Sequence, residues 1–501
     1  MSSGPRRGRF EGNLPNQGPA LRTALRLIAL SFCPAVLAAQ GIPAAEYAAR
    51  RDALAARIDS GVVVAFGAPS PTGISRAAQL PAFRYLTGFL EPDAALVLVV
   101  GGGRRSGTLF TQARDPRRAL YDGFPPDSTR VARETGLEVR SIAALAPALD
   151  SLAGSGLPFY TLRDFSGADY AESDSLTRGA SFMRAFADGH PRLELFDAHP
   201  AVDSLRARKS PAELALIHRA IALTVSAQRD AMHSVRPGLW EYELEALFTS
   251  AFRRGGGDGP SFGSIIGSGP NSTQYHYEAN NRRMQAGDVV VMDVGASFQG
   301  YAADVTRTIP VSGRFTAEQR AVYRIVRDAQ TAAERVARPG ASYAAWRDSA
   351  RAVVARGVAG LGLTEGVDAT FDPPWADQCG TEPVRCTQAF LYMAHGLGHG
   401  IGLEVHDPPR PWRDTGTFAP GDVFTIEPGV YVSTRLLDML PDTPRNRAML
   451  AKVRPAVERY ADIGIRIEDD YAITGTGVEW LSRGAPREIR EIEAEMARRG
   501  R

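Results

Sequence analysis

The sequence predicts an α/β (α+β) protein built in two parts, and three observations predict it. Between about 44 and 165, apolar strand-like runs alternate with helix-like segments. A proline-initiated helix then opens a second part, which turns strand-rich and glycine-rich after Gly255-Gly256-Gly257. The side chains able to bind metals or move protons are concentrated in that second part, between residues 276 and 470. The 501 residues suffice for two to three domains. A balance of 58 Lys+Arg against 56 Asp+Glu excludes the basic footprint of a dedicated nucleic-acid binder. With 44% hydrophobic and 23% charged residues, the chain is also not a disordered one. Nearly all the positive charge is arginine; the two lysines are Lys209 and Lys452.

Residues 1–39 read as an export leader. Arg6, Arg7, Arg9, Arg22 and Arg26 precede or open the apolar run Leu27–Ala39, which ends on the small residues Ala38 and Ala39. Charged start, apolar centre and small-residue end is the order of a secretory signal peptide. The run falls short of the roughly 20 residues of a transmembrane helix. The alternative is an uncleaved N-terminal anchor. With leader cleavage, the expectation is a periplasmic or secreted protein with no membrane partner. The leader holds five arginines against one glutamate, Glu11, so the slight net basicity of +2 belongs to it. Cys33 falls in the leader, which leaves Cys379 and Cys386. In an oxidising compartment such an isolated pair suggests one disulfide, worth about 2–3 kcal/mol for so short a loop. Two free thiols are the alternative.

In the first part, Val62–Phe66, Ala94–Val100 and Gly107–Phe110 read as strands, and Ala44–Arg57 and Leu145–Leu152 as helices. Its only histidine before residue 199 is His190, and no metal-ligand spacing occurs there, which marks it as a non-catalytic accessory domain. Residues 165–205, rich in Ser, Asp and Gly, read as a connection. Ser210-Pro211 supplies an N-cap and a first-turn proline. Leu214, Ile217, Ile221 and Val225 then recur at helical spacing. Further helices are expected at about 241–253, 316–337 and 343–358. The resulting domain layout is a leader at 1–39, an accessory domain at 40–200, a catalytic domain at 201–490 and a polar tail at 491–501.

Four blocks carry the chemistry. In Asp288–Pro310 (DVVVMDVGASFQGYAADVTRTIP), a strand ends on Asp293 and a turn near Gly295–Gly300 brings the chain back to Asp304. Two buried carboxylates on adjacent strands need a cation or several donors. His395–Asp407 (HGLGHGIGLEVHD) holds His395, His399 and His406 among glycines that disfavour a helix and permit close backbone approach. In VFTIEPGVY, Glu427 ends an apolar strand before Pro-Gly. In GIRIEDDY, Arg466 and Glu468 fall on one face of a strand, where a plain ion pair between them is the simplest reading. Asp293, Asp304, His399, Glu427 and Glu468 together form four carboxylates and an imidazole. That donor set suits two divalent cations such as Mn²⁺, Co²⁺ or Zn²⁺, held about 3.5–4 Å apart for hydrolysis.

The order and wording of HGLGHGIGLEVHD, TIEPGVY and GIRIEDD resemble the pita-bread dimetal peptidases: methionine aminopeptidase, aminopeptidase P and prolidase. Phe83–Val99 (FRYLTGFLEPDAALVLV) resembles the accessory domain of the latter two. The resemblance implies a C-terminal pita-bread metallopeptidase domain behind a smaller α/β domain. It implies that Asp293 chelates one metal, His399 and Glu427 the other, and that Asp304 and Glu468 bridge both. A metal-held hydroxide would attack the scissile carbonyl, with Glu427 as general base and proton shuttle. His406 would stabilise the developing oxyanion, His276 (in HYEAN) and His395 would line the pocket and orient substrate, and Arg466 would steady the carboxylates. The implied cofactor is two divalent ions, Mn²⁺ first. The implied partners are peptides with proline at the second position and further copies of the chain, as a dimer or tetramer. Alternatives are a prolidase limited to Xaa-Pro dipeptides, metal-free creatinase-like chemistry and a catalytically inactive binding module; the complete ligand set argues against the last two. The stretches around 368–388 and 434–460 are longer than in plain members of the family, which points to an effect on site access or on an oligomer contact.

Overall fold

Successive valines of the first strand face two different cores. Along β1 (Gly61–Phe66), Val63 and Ala65 pack with Leu54, Phe83 and Leu86, whereas Val62 and Val64 pack with Leu149 and Phe159. A strand apolar on both faces belongs in the middle of a sheet covered by helices, and β1 takes that place. With β2 (Ala95–Gly101), β3 (Arg104–Thr111), β4 (Glu138–Ser141), β5 (Phe159–Thr161) and β6 (Leu195–Asp197) it forms a six-stranded sheet of order β4-β3-β2-β1-β5-β6. β1 and β3 run antiparallel to β2, while β4, β5 and β6 pair in parallel with their neighbours. Helices α1 (Ala44–Ile58), α2 (Pro81–Thr87), α3 (Pro116–Asp122), α4 (Ser128–Thr135), α5 (Leu145–Ala153), α6 (Arg178–Gly189) and α7 (His199–Arg206) alternate with these strands.

This computed structural model describes residues 41–498, apart from 71–78, 102–103, 114, 125, 163–177 and 409–415. The expected leader at 1–39 lies outside the described residues. Among the described residues, no helix is long and apolar enough to cross a membrane. The expected connection at 165–205 needs correction. Its described portion contains α6, the edge strand β6 and most of α7. β6 is exposed along its whole length, so it carries no alternation of apolar residues for a sequence reading to find.

The second part opens with α8 (Pro211–Ser234). Ser210 Oγ accepts from the Glu213 amide at 3.1 Å and Glu213 Oε2 accepts from the Ser210 amide at 2.9 Å, a reciprocal cap that fixes where this helix starts. Ile217 and Ile221 are buried on its inner face, while Leu214 and Val225 are partly buried. α9 (Glu241–Arg254) follows, then β7 (Gly259–Pro260), β8 (Ile265–Ser268), β9 (Val289–Val294), β10 (Ala296–Phe298), β11 (Tyr301–Ala302) and β12 (Val305–Pro310). The hairpin anticipated from Asp293 and Asp304 is present: β9 and β12 pair antiparallel, with Thr306 opposite Asp293. α10 (Ala317–Val336) and α11 (Tyr343–Gly360) bury Val322, Val326, Ala329, Ala333, Trp346 and Ala350 in one large core. Burial of a valine side chain such as Val322 or Val326 stabilises by about 1.5–3 kcal/mol, and of an alanine methyl by less. β13 (Val423–Ile426), β14 (Gly429–Val432), α12 (Thr434–Asp438), α13 (Pro444–Arg459), β15 (Ile463–Arg466), β16 (Asp469–Ile473), β17 (Val478–Trp480) and α14 (Ile489–Met496) follow. The long stretch at 434–460 is thus mainly α12 and α13. The expected polar tail at 491–501 needs correction, because α14 buries Ile492 and Met496 in that large core among charged residues that hide them from a compositional reading. Residues 376–386 are two short 3-10 turns joined by a Cys379–Cys386 disulfide, with Cα atoms 5.7 Å apart.

Candidate metal centre

Most of the acidic residues of the centre sit where a strand is interrupted. Asp304 lies between β11 and β12, Glu427 between β13 and β14, and Glu468 between β15 and β16. β13 pairs with β16 and β14 with β15, in registers that run up to Ile426↔Asp469 and resume at Gly429↔Arg466. Both ladders therefore break at the same level, and Glu427 and Glu468 come from the facing breaks. Asp293 sits one residue before the end of β9. Interrupted ladders free these residues from strict alternation, which lets carboxylates from three pairs of strands converge.

The Arg466 side chain corrects one expectation. β15 ends at Arg466, so Arg466 and Glu468 do not share a continuous strand face. Its guanidinium pairs instead with Asp293 Oδ2, with a second donor on the Tyr431 hydroxyl at 2.9 Å. Arg466 also binds the Tyr275 carbonyl at 3.4 Å.

His399 is the hub. Its Nδ1 donates to the Gly400 carbonyl at 3.0 Å, which assigns the tautomer and turns the Nε2 lone pair inward. Nε2 lies 3.6 Å from Asp304 Oδ2, 3.6 Å from Glu427 Oε1 and 3.8 Å from Glu468 Oε1. Asp304, His399 and Glu468 offer ligand atoms all within 4.8 Å of one another. The backbone around His399 is held by Thr425, whose amide donates to the His399 carbonyl at 2.9 Å. The chain runs so close that a Cβ on Gly398 would strike the Thr425 carbonyl.

These residues fit a divalent metal. A lone pair facing three carboxylates is repulsive unless a cation or proton lies between them. Asp293 Oδ1, Asp304 Oδ1 and Glu468 Oε1 are buried and have no hydrogen-bond partner among the described residues. Without a cation the acids respond by holding protons. Burial, reinforced by Glu468 and Asp293, keeps Asp304 well above the usual carboxylate range. Burial and Glu468 do the same for Glu427. Burial and Asp293 push Glu468 up to about 8. A divalent ion would replace those protons.

The remaining expected residues lie around this cluster. His395 Nδ1 donates to the Gly396 carbonyl at 2.7 Å and stands 3.7 Å from Glu427 Oε2, while Nε2 accepts from the Tyr431 hydroxyl at 3.0 Å. Burial and the Arg466 charge push His395 down to about 3, so it stays neutral. The His406 ring centroid lies 4.0 Å from that of His399, with the two planes tilted by 44°. His276 is exposed on a turn after the 269–273 segment, next to Tyr275, whose ring lies 5.1 Å from that of His395. Sequence reasoning missed Tyr275, Tyr431, Thr306 and Asp470. Thr306 Oγ1 donates to Glu468 Oε2 at 2.6 Å, and Asp470 Oδ2 accepts from the Asp304 amide at 3.2 Å. Their signal was position: Thr306, Tyr431 and Asp470 each lie within four residues of a recognised acid and Tyr275 adjoins His276, but hydroxyls and the second Asp in GIRIEDDY carry no metal-binding spacing of their own.

Three buried carboxylates, a partly buried fourth and an inward imidazole, set on paired strands, define a metal-dependent hydrolase. The family description "Metallopeptidase family M24" matches residues 215–475, and "Aminopeptidase P, N-terminal domain" matches residues 47–157. The Xaa-Pro aminopeptidase of Escherichia coli K12 is 32% identical over 462 residues, 90% of this chain and 97% of that protein. The Xaa-Pro dipeptidase of Homo sapiens is 31% identical over 439 residues, 83% of each chain. Among solved structures, aminopeptidase P from E. coli with the inhibitor Pro-Leu superposes with a TM-score of 0.74 at 31% identity, covering 91% of this chain and 99% of that one. Proline aminopeptidase P II from Yersinia pestis matches with the same TM-score and identity, over 91% and 100%. The chain belongs to metallopeptidase family M24, has the aminopeptidase P-like fold, and is a metallo-aminopeptidase.

Proposed function

We propose that this enzyme removes the N-terminal residue from peptides whose second residue is proline. The carrying observation is the buried cluster of Asp293, Asp304, His399, Glu427 and Glu468 in a chain matching Xaa-Pro aminopeptidases over nearly their full length. These five residues would hold two divalent ions, with Mn²⁺ the first choice. Ions so placed polarise a scissile carbonyl and make water nucleophilic near neutral pH. The chain's own residues do the rest. Thr306 orients Glu468, and Arg466 orients Asp293, so the acids keep their spacing. Glu427, beside the neutral His395, is suited to take a proton and pass it to the leaving nitrogen. His406, close beside His399, supplies a donor for the charge that develops on the carbonyl oxygen. His276 and His395 border the path to the cluster and orient substrate. An Xaa-Pro bond is a tertiary amide with no N–H, so a site that does not require that donor accepts it.

The 31% identity to a human Xaa-Pro dipeptidase supports a second reading, in which only dipeptides are cleaved. Metal-loaded enzyme incubated with an Xaa-Pro-Xaa tripeptide and an Xaa-Pro dipeptide side by side separates the two. Tripeptide cleavage supports the first reading, and cleavage of the dipeptide alone replaces it with the second. We also propose export through the leader at 1–39, to the periplasm or the medium, and assembly into a dimer or tetramer. Cell fractionation and sedimentation of the purified protein test these.

A further inference from the structure

Lys209 is one of two lysines among 58 basic residues. Lys452 reaches Glu365 at the surface, with a side chain 70% exposed, whereas the Lys209 side chain is 3% exposed. A chain that otherwise uses arginine retains here a compact ammonium in place of a planar fork. Lys209 Nζ donates to Asp407 Oδ2 at 2.7 Å. Arg206, equally buried, donates to Asp407 Oδ1 at 2.7 Å and to Glu404 Oε2 at 2.5 Å. Burial alone would raise the Asp407 carboxyl, but Lys209 and Arg206 bring it below the ordinary range.

Asp407 directly follows His406. Its amide donates to the Gly400 carbonyl at 2.9 Å, and its Oδ1 also accepts the Glu404 amide at 3.3 Å. Gly402 leaves room for the carboxylate, since a Cβ there would lie 2.7 Å from its carbon. The Ala302 amide, two residues from Asp304, donates to the Gly402 carbonyl at 2.8 Å. Residues 400–407 thus form a closed turn that starts beside His399 and carries His406 next to its closing residue, Asp407. The two cations reach it from the segment joining the sheet of the first part to α8. Arg206 ends α7, and Lys209 immediately precedes the N-cap of α8. The Lys209 amide is itself tied to the Gly421 carbonyl at 2.9 Å, and Leu403 of the turn packs against the core of the first part.

We propose that Lys209 and Arg206 are positioning residues: by clamping Asp407 they hold the 400–407 turn so that His406 meets the substrate, which makes turnover depend on the segment that links the two parts of the chain. This rests on the peptidase reading above. An error of about 1 Å in placing a reacting group costs about 100-fold in rate, so a clamp on the residue next to His406 is in a position to set kcat.

The test is a double-mutant cycle on metal-loaded, full-length enzyme cleaving an Xaa-Pro-Xaa tripeptide. Wild type, Lys209→Met, His406→Ala and the double variant are compared in kcat, KM and metal content. Lys209→Met is expected to keep its metal and its KM while kcat falls about 10- to 100-fold. In the His406→Ala background the same change is expected to cost only about twofold, because residues acting through one group are not additive. An unchanged kcat, or the same fold-loss in both backgrounds, overturns the proposal. If Lys209→Met does not fold, Glu404→Gln carries the same comparison, with a several-fold loss expected only where His406 is present. A wild type that is folded and metal-loaded yet cleaves no proline peptide refutes the peptidase reading, which is distinct from an active wild type with an indifferent Lys209→Met.

Discussion

Thr306 and Glu468 are bonded to each other twice. The Thr306 hydroxyl donates to Glu468 Oε2 at 2.6 Å, and the Glu468 amide donates to the Thr306 carbonyl at 3.1 Å. With Oε2 occupied, Oε1 is the oxygen left to face His399. Thr306→Val keeps the shape and removes the hydroxyl. It should weaken metal binding by about 10- to 100-fold, as loss of a hydrogen bond behind a ligand does elsewhere. Competition with a chelator of known affinity measures this, and Thr306→Ser should bind nearly as wild type.

Asp304→Ala removes a buried acid from the centre of the cluster. Elemental analysis and a peptide assay should show metal and activity lost together. Full activity in this variant would end the two-metal reading.

His406→Ala should separate the two properties. We expect kcat to fall about 100- to 1000-fold, the usual cost of removing a donor to a developing oxyanion, with metal content near normal. Metal loss on the same scale would instead make His406 a ligand.

The metal-free protein should lose stability as pH rises. Glu468 has its folded pKa raised from 4.5 to about 8, and Asp304 and Glu427 are raised in the same direction. Between those pH values the folded state binds more protons than the unfolded one, so unfolding becomes easier with each increment of pH. Thermal scans of chelator-treated protein should show Tm falling from pH 5 to pH 8. Divalent metal should remove that slope, and its binding near pH 7 should release protons measurable by calorimetry in buffers of different ionisation enthalpy. A flat metal-free profile would show that the acids are already ionised and otherwise compensated.

Much of this centre was readable beforehand because its ligands lie in short, distinctive blocks. Asp293 and Asp304 were recognisable as the two arms of one hairpin, and the glycines around His399 as a non-helical close approach. The bonding partners were not readable. Arg466 faces Asp293, 173 positions away, where its near neighbour Glu468 was expected. Arg206 and Lys209 meet Asp407 across 201 and 198 positions. Alternation and spacing report which face a residue occupies, not which distant strand or helix lies against that face. β6 escaped for a different reason: a three-residue exposed edge strand is held by backbone hydrogen bonds to β5, which leave no mark on side-chain choice.

Non-reducing peptide mapping should find Cys379 linked to Cys386 in protein recovered from an oxidising compartment. Two separately alkylated thiols would refute the bridge under those conditions.

The close passage of Gly398 over the Thr425 carbonyl also inverts the usual logic of mutational scanning. Alanine is normally the gentlest probe because it deletes atoms. Here a single added methyl drives two main chains apart, and one of them carries the imidazole that the acids surround. The backbone at Gly398 therefore has little tolerance, and an enzyme variant that seems conservative on paper would act at this position as a wedge beside His399.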